Sequence, residues 1–135
     1  MDNLTHILEV DEQHLTLRAE PGVTIGHITN YLLHKGYALQ VHVELESATL
    51  GGVAMGYGMD TSCHLHGLFQ ECIVAYELVT STGEVIIVDE ASDKELFHAL
   101  PWSCGSVGFL VSVTVRICQV IPITVPCRRY CQDDP

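Results

Sequence analysis

The residues with the clearest capacity for chemistry lie between Thr49 and Phe69. Here Thr49-Leu50-Gly51-Gly52-Val53-Ala54-Met55-Gly56-Tyr57-Gly58 is followed by Ser62 and by His66-Gly67-Leu68. Five glycines, Gly51, Gly52, Gly56, Gly58 and Gly67, fall within seventeen residues. Glycines packed this closely let the backbone take positive φ and approach a ligand, and consecutive free N–H groups in such a loop form an anion-binding nest that suits a pyrophosphate. The order is not the dinucleotide fingerprint, because Gly51-Gly52 and Gly56-Tyr57-Gly58 do not make G-x-G-x-x-G between a strand and a helix with an acidic residue downstream. It is not a nucleoside-triphosphate loop, since no Gly-Lys-Ser/Thr occurs. On spacing alone, a glycine-rich turn that closes a sheet accounts for the stretch as well as a ligand loop does.

Cysteine and histidine supply the other reactive groups. The six Cys, at 63, 72, 104, 118, 127 and 131, show no C-x-x-C spacing, and their apolar surroundings predict mostly buried thiols, with Cys127 and Cys131 as the exception. Their even number permits three disulfides, but without a secretory signal the default compartment is reducing. Cys63-His64-Leu65-His66 with His42 has the residue types of a metal cluster. In extended chain, however, neighbouring side chains point to opposite faces, and no metal site is expected.

The elements that must position these residues belong to one domain or part of one, because 135 residues leave no room for two. With 47% hydrophobic and 17% charged residues the chain can bury a sizeable core. A net charge of −11 repels phosphate backbones and argues against nucleic acid or an anionic membrane as partner. The longest uncharged apolar-rich stretch, Gly105 to Val115, is eleven residues, against about 20 for a membrane helix. Met1 through Asp11 has neither the basic nor the apolar region of a signal peptide.

Ile7 to Val10 and Leu15 to Glu20, separated by Asp11-Glu12-Gln13-His14, predict a β-hairpin. Pro21-Gly22 breaks the strand, Thr24 can cap a helix, and Ile25, Ile28, Leu32 and Leu33 recur at helical spacing until Gly36 stops it. Ile73 to Thr80 and Glu84 to Asp89 flank Ser81-Thr82-Gly83 as a second hairpin. Ser92-Asp93-Lys94-Glu95 has the capping-box pattern with Ser92 as cap, followed by Leu96, Phe97 and Leu100 and a stop at Pro101. Val107 to Ile117 reads as a long core strand. Hairpins interrupted by two helices predict an α+β fold, a mainly antiparallel sheet with flanking helices. Beyond Ile121, three prolines and a mix of Arg, Cys and Asp crowd fourteen residues without a period, which sets 122–135 apart as a tail outside the core.

From Ile7 to Ile117 the chain resembles the second lobe of the FAD-binding domain of the vanillyl-alcohol oxidase and p-cresol methylhydroxylase (PCMH) superfamily. The resemblance rests on seven blocks in one order: Glu20-Pro21-Gly22-Val23-Thr24-Ile25-Gly26, Thr49-Leu50-Gly51-Gly52, Gly56-Tyr57-Gly58 with His66-Gly67-Leu68-Phe69, Tyr76-Glu77-Leu78-Val79, Thr82-Gly83, Asp93-Lys94-Glu95-Leu96-Phe97, and Gly105-Ser106-Val107-Gly108-Phe109-Leu110-Val111. Within the superfamily, Ala99-Leu100-Pro101-Trp102-Ser103-Cys104-Gly105 and Ser62-Cys63-His64-Leu65-His66-Gly67 are most similar to the delta-24-sterol reductases; most other members have Gly in place of Pro101-Trp102-Ser103. The resemblance covers 1–121 as a partial PCMH-type FAD-binding domain. The first lobe, the C-terminal substrate domain and the N-terminal membrane segment of such reductases are not among these residues, and 122–135 diverges, which suggests a fragment, a splice form or an incomplete gene model.

The resemblance implies FAD held without a covalent bond, with Cys63, His64 and His66 not used for attachment as they are in other members. It places Thr49, Gly51, Gly52, Gly56, Gly58, Ser62 and Gly67 along the cofactor, the glycines offering amides, and Gly105, Gly108 and Val111 near its adenine end. The helix from Thr24 to Gly36 is a weaker flavin element, through Thr24, Gly26 and Gly36. His66 is a loop residue, and Trp102 is expected to pack. The implied chemistry is reduction of the isolated side-chain double bond of a sterol, with NADPH as reductant and a protein acid supplying the proton. The sterol pocket and that acid belong to the substrate domain. The full-length family is expected at the endoplasmic reticulum membrane through its N-terminal segment, and this stretch alone is expected to be soluble and cytoplasmic. Two other readings stand beside it: a non-catalytic, partner-binding half-domain that keeps an exposed apolar face, and an FAD-dependent alcohol or sugar oxidase, against which Pro101-Trp102-Ser103 argues.

Overall fold

The computed structural model describes residues 3–59 and 62–120. Six strands, all paired antiparallel, form its frame: β1 (Ile7–Asp11), β2 (Thr16–Ala19), β3 (Tyr37–Leu39), β4 (Ile73–Val79), β5 (Val85–Asp89) and β6 (Phe109–Gln119). The order is β1-β2-β6-β4-β5, with β3 extending the ladder at the C-terminal end of β6. Both predicted hairpins form. In the second, Gly83 takes φ +83°, the left-handed conformation that lets so tight a turn close.

β6 is the centre of the sheet, between β2 and β4, and alternate side chains along it are buried. Leu110, Val113, Val115 and Ile117 face the core, and Ser112 is buried with its hydroxyl donating to Glu77 at 2.7 Å. The register jumps from Leu78↔Leu110 to Glu77↔Ser112, so Val111 is the extra residue of a bulge.

Four helices accompany the sheet: α1 (Ile25–Leu33), α2 (Leu50–Met55), α3 (Cys63–His66) and α4 (Lys94–Ala99), with a 3₁₀ turn at Phe69–Cys72. The core lies between sheet and helices and holds Leu17, Ile25, Ile28, Leu32, Leu50, Val53, Phe69, Tyr76, Leu78 and Leu100. Each such side chain withdrawn from water stabilises the fold by roughly 1.5–3 kcal/mol before entropy is counted.

Two helices arise where the sequence predicts none. The glycine stretch folds as α2, and Cys63 to His66 makes one helical turn instead of extended chain. At α4 the cap is Asp93, whose carboxylate accepts from the Leu96 amide at 3.0 Å, and not Ser92. Ser92 instead closes the preceding turn, its hydroxyl accepting from the Asp89 amide at 2.9 Å. The 122–135 stretch lies outside the described residues.

Candidate functional site

The starts of α1 and α2 are bound to each other. Thr24 and Thr49 form an antiparallel bridge, and each caps its own helix, accepting from the amides of His27 and Gly52. The Ile25 amide donates to the Ala48 carbonyl and the Gly26 amide to the Glu46 carbonyl. A Cβ on Gly26 would stand 3.0 Å from the Glu46 Cβ, so glycine permits this crossing of segments.

The first four amides of a helix have no partner within it. In α2 those after the cap find partners: Leu50 donates to Val23 O, Gly51 to Pro21 O at 2.8 Å and Gly52 to the Thr49 hydroxyl, and Val53 to Thr49 O is the first bond of the helix itself. The Gly56 amide donates to Gly52 O. The expected row of free glycine amides is therefore absent at Gly51, Gly52 and Gly56. What these residues contribute is closeness: a Cβ on Gly51 would stand 2.6 Å from Pro21 Cβ, so α2 could not lie on the Pro21-Gly22 turn with any larger residue there.

Beside α2 opens a cleft of about 580 Å³, walled by Pro21 and Gly22, by Thr49, Gly51, Gly52, Met55 and Gly56, and by Cys104, Gly105, Gly108, Phe109 and Leu110. The Pro21-Gly22 turn is pinned from the N-terminal side: Gly22 donates to Leu4 O, and the Glu20 carboxylate takes the His6 amide at 2.7 Å. That hydrogen bond, with the one from the His6 ring, holds Glu20 below the usual carboxylate range. The opposite wall is a turn with Trp102, Cys104 and Gly105 at φ +61°, +51° and +81°. Its Cys104 amide donates to Met55 O at 3.0 Å, which fixes the turn to the end of α2.

Of the residues singled out from sequence, Thr49, Gly51, Gly52, Gly56, Gly105 and Gly108 come together around this cleft. Gly58 does not line it; it is buried, and a Cβ there would stand 2.5 Å from Val53 and 2.8 Å from Phe69. Gly67 ends α3 at φ +75°, where a Cβ would collide with the Glu71 carboxylate. Ser62 precedes α3, and its buried hydroxyl has no partner among the described residues. Val111 lies in the β6 bulge. Thr24 and Gly26 belong to the α1 crossing, and Gly36 ends that region at φ +82°. Sequence reasoning left Pro21, Gly22, Met55, Cys104, Phe109 and Leu110 off the site, although four of the six sit inside blocks that carried the resemblance.

Trp102 is 54% exposed and so does not pack as expected. His66 ends α3, its ring 3.2 Å from the Gln40 amide nitrogen. Of the cysteines, Cys72 is buried and its thiol is pushed up by desolvation, while Cys104 and Cys118 are exposed, contrary to the expectation of mostly buried thiols. Cys127 and Cys131 lie outside the described residues.

The cleft suits a flavin dinucleotide sterically. Its volume is in the range of small-molecule sites, roughly 300–1,000 Å³. Its wall is glycine at six positions, and a Cβ on Gly52 would meet only the Thr49 hydroxyl, and on Gly105 nothing within 4 Å, so both positions face open space. No Lys or Arg lines it. This part of the protein offers shape and backbone proximity, not charge.

Residues 1–89 match the FAD binding domain family. The human delta(24)-sterol reductase is 42% identical over 130 residues, covering 96% of this chain and 24% of its own length. A Caenorhabditis elegans delta(24)-sterol reductase homolog is 38% identical over 138 residues, covering 96% and 25%, and the D-arabinono-1,4-lactone oxidase of Candida glabrata is 31% identical over 121, covering 87% and 23%. The chain thus spans about a quarter of the length of these curated relatives. Among solved structures, a chitooligosaccharide oxidase superposes with TM-score 0.80 at 22% identity, over 88% of this chain and 25% of the other. The 6-hydroxy-D-nicotine oxidase of Arthrobacter nicotinovorans superposes at 0.78 and 24%, over 86% and 25%. Among the described residues no helix is long and apolar enough to cross a membrane. With about two thirds of its length matched and its sheet and helices laid out as in PCMH-type flavoprotein oxidases, this chain belongs to the FAD binding domain family, whose members include delta(24)-sterol reductases and related oxidases.

Proposed function

We propose that this chain is the glycine-walled part of the FAD site of a delta(24)-sterol reductase, with NADPH as reductant and the sterol held by a domain outside these residues. The observation that carries the reading is the meeting of Thr49, Gly51, Gly52, Gly56, Gly105 and Gly108 around one cleft, in a chain 42% identical to the human reductase. Bound FAD would supply the hydride chemistry. The chain's own residues would hold it: Pro21-Gly22 and α2 as one wall, the Cys104-Gly105 turn and Gly108 to Leu110 as the other. Cleft residues without side chains let a ligand lie against backbone. With no carboxylate in the lining, a pyrophosphate would meet no like charge. The net charge of −11 supports a small-molecule role over a nucleic-acid one. For the complete protein we place the work at the endoplasmic reticulum membrane, as the resemblance to the delta-24-sterol reductases implies.

Titration of the 135-residue chain with FAD tests this directly. Saturable quenching of flavin fluorescence is expected, with all flavin in the supernatant after acid precipitation, as non-covalent binding requires. A folded chain that binds no FAD would refute the cleft as an independent site, and flavin in the acid pellet would refute the non-covalent mode.

One observation favours a second reading, a half-domain that docks a protein partner. On the outer face of the sheet Val85 and Phe109 both pair with Val79, and Ile87 adjoins them, leaving side chains 58%, 51% and 62% exposed. A monodisperse monomer over a wide concentration range counts against it. Oxygen-coupled turnover of a sugar lactone or alcohol by the complete protein would instead favour the oxidase chemistry that the Candida glabrata relative's name states.

A further inference from the structure

The end of α2 that forms the cleft wall is held by one buried polar side chain. Gln70, in the 3₁₀ turn after α3, is 4% exposed, and its amide nitrogen donates to Val53 O at 2.8 Å and to Gly56 O at 3.0 Å. The last carbonyls of a helix lack partners within it. Here those of Val53 and Gly56 are taken by Gln70, and that of Met55 by the Cys104 amide. Both hydrogens of the Gln70 amide are therefore used on the segment that carries Met55 and Gly56 into the cleft, and the same segment anchors the Cys104-Gly105 wall.

We infer that Gln70 is a positioning residue for the FAD cleft: by clamping the C-terminal carbonyls of α2 it fixes the separation of the α2 wall from the Cys104-Gly105 wall. The inference rests on the proposed flavin site for its ligand. A packing role alone does not account for the residue. The Gln70 side-chain oxygen is buried with no partner among the described residues, and an unpaired buried acceptor is a cost that Leu or Met would avoid. The position accepts that cost while its nitrogen reaches two carbonyls seventeen and fourteen residues away. Gly56 cannot help itself here, because its C-cap conformation, φ −103° and ψ −117°, is not one that carries the helix on or closes it by a left-handed turn.

The test is Gln70→Leu in the full chain, read three ways. Amide hydrogen exchange at Gly56 and Cys104 should accelerate about tenfold or more, while the amides of β4 and β6 keep their protection. The dissociation constant for FAD should rise about tenfold, as expected when two neutral hydrogen bonds that hold a site are lost. The urea midpoint should move little, since removal of the unpaired oxygen offsets the lost bonds. Uniform acceleration of exchange with a fall in stability would overturn the inference, as would unchanged exchange at Gly56 and Cys104. If the wild-type chain does not bind FAD, the proposed function fails, yet the exchange experiment still decides whether Gln70 clamps α2. Should the Leu variant not fold, Gln70→Met, unbranched and of equal length, replaces it, and failure of both would place Gln70 in the general core and refute the positioning role.

Discussion

Among the described residues, two clefts are of nearly equal size, about 580 and about 530 Å³, and the Pro101 to Gly105 turn borders both. The first is walled by glycine and apolar side chains. The second is lined by Glu71, Asp89, Glu90, His98 and Arg116 around Phe97 and Trp102. The carboxylates of the second serve the fold. Glu71 accepts from the Leu68 amide, Asp89 from the amides of Ala91 and Ser92, and Glu90 faces Lys94 at 3.5 Å and His98 at 3.6 Å. In the first cleft the amides of Gly22, Gly51, Gly52, Gly56 and Cys104 are likewise engaged within the chain, but six of the twelve lining residues are glycines without a side chain. A wall stripped of side chains leaves room for something else, whereas a wall of charges that pair with their own neighbours only closes turns. Volume does not tell the two apart, and lining does.

The largest effect should come from Gly56→Ala. A Cβ there points into the Gly52 carbonyl, a backbone atom that cannot step aside. The end of α2 would have to rebuild, and a loss of about 2–3 kcal/mol in urea unfolding is expected. A variant as stable as wild type would break the contrast, since the first cleft would then not depend on glycine geometry.

Gly51 and Gly52, adjacent in sequence, sharpen it. Gly51→Ala drives a methyl to 2.6 Å from Pro21 Cβ and 3.3 Å from Leu110 Cδ2, and such overpacking costs about 1–3 kcal/mol. Gly52→Ala meets only the Thr49 hydroxyl, at 3.0 Å, and gains about 0.5–1 kcal/mol of helix propensity. Unfolding should therefore separate the pair, with Gly51→Ala destabilised and Gly52→Ala near wild type. FAD titration should show the reverse concern, with affinity lost in Gly52→Ala despite a sound fold. Equal stability of the two would contradict the placement of Gly51 against the Pro21 turn.

These two glycines also mark how far the sequence can be read. The hairpins, α1 and β6 were legible because alternation, helical spacing and turn residues are local signals. The helix α2 was not, because Gly-Gly is a poor helix former. It is helical through the Thr49 cap and through acceptors on Pro21 and Val23, which sequence spacing does not reveal. The glycine cluster correctly announced close approach, and Gly51, Gly52, Gly56, Gly105 and Gly108 do converge. It did not say what approaches. At Gly58 and Gly67 the neighbour is the protein itself, Val53 and Phe69 in one case and Glu71 in the other.

The core residue packed against Phe97 of the second cleft offers a change of opposite sign. Tyr76 packs edge-on against Phe97 at 5.6 Å, and its hydroxyl is buried with no partner among the described residues. Tyr76→Phe removes that unpaired group and should stabilise the protein by about 1 kcal/mol. Burial also raises the Tyr76 pKa above its ordinary value of 10.0. The unfolded chain therefore gives up this proton first, and the native state loses stability as pH climbs past about 10. The Phe variant should lose that part of the alkaline decline, leaving the part from the Cys72 thiol, which burial also pushes up. An unchanged or lowered stability would mean that the hydroxyl has a partner after all.

The smallest effect concerns α4, which brings Phe97 and His98 to the second cleft. Asp93 and Ser92 compete for the cap in the sequence, and the structure gives the cap to Asp93 and the turn to Ser92. Asp93→Ala should cost about 1 kcal/mol, the usual worth of an N-cap. Ser92→Ala should cost only a few tenths, because the Asp89 carboxylate keeps its bonds from the Ala91 and Ser92 amides when the hydroxyl is gone. Neither should alter FAD affinity, since neither residue touches the glycine cleft. A cap effect that appeared at Ser92 would reverse the local assignment, and an affinity change in either variant would show that the two clefts communicate through the Pro101 to Gly105 turn they share.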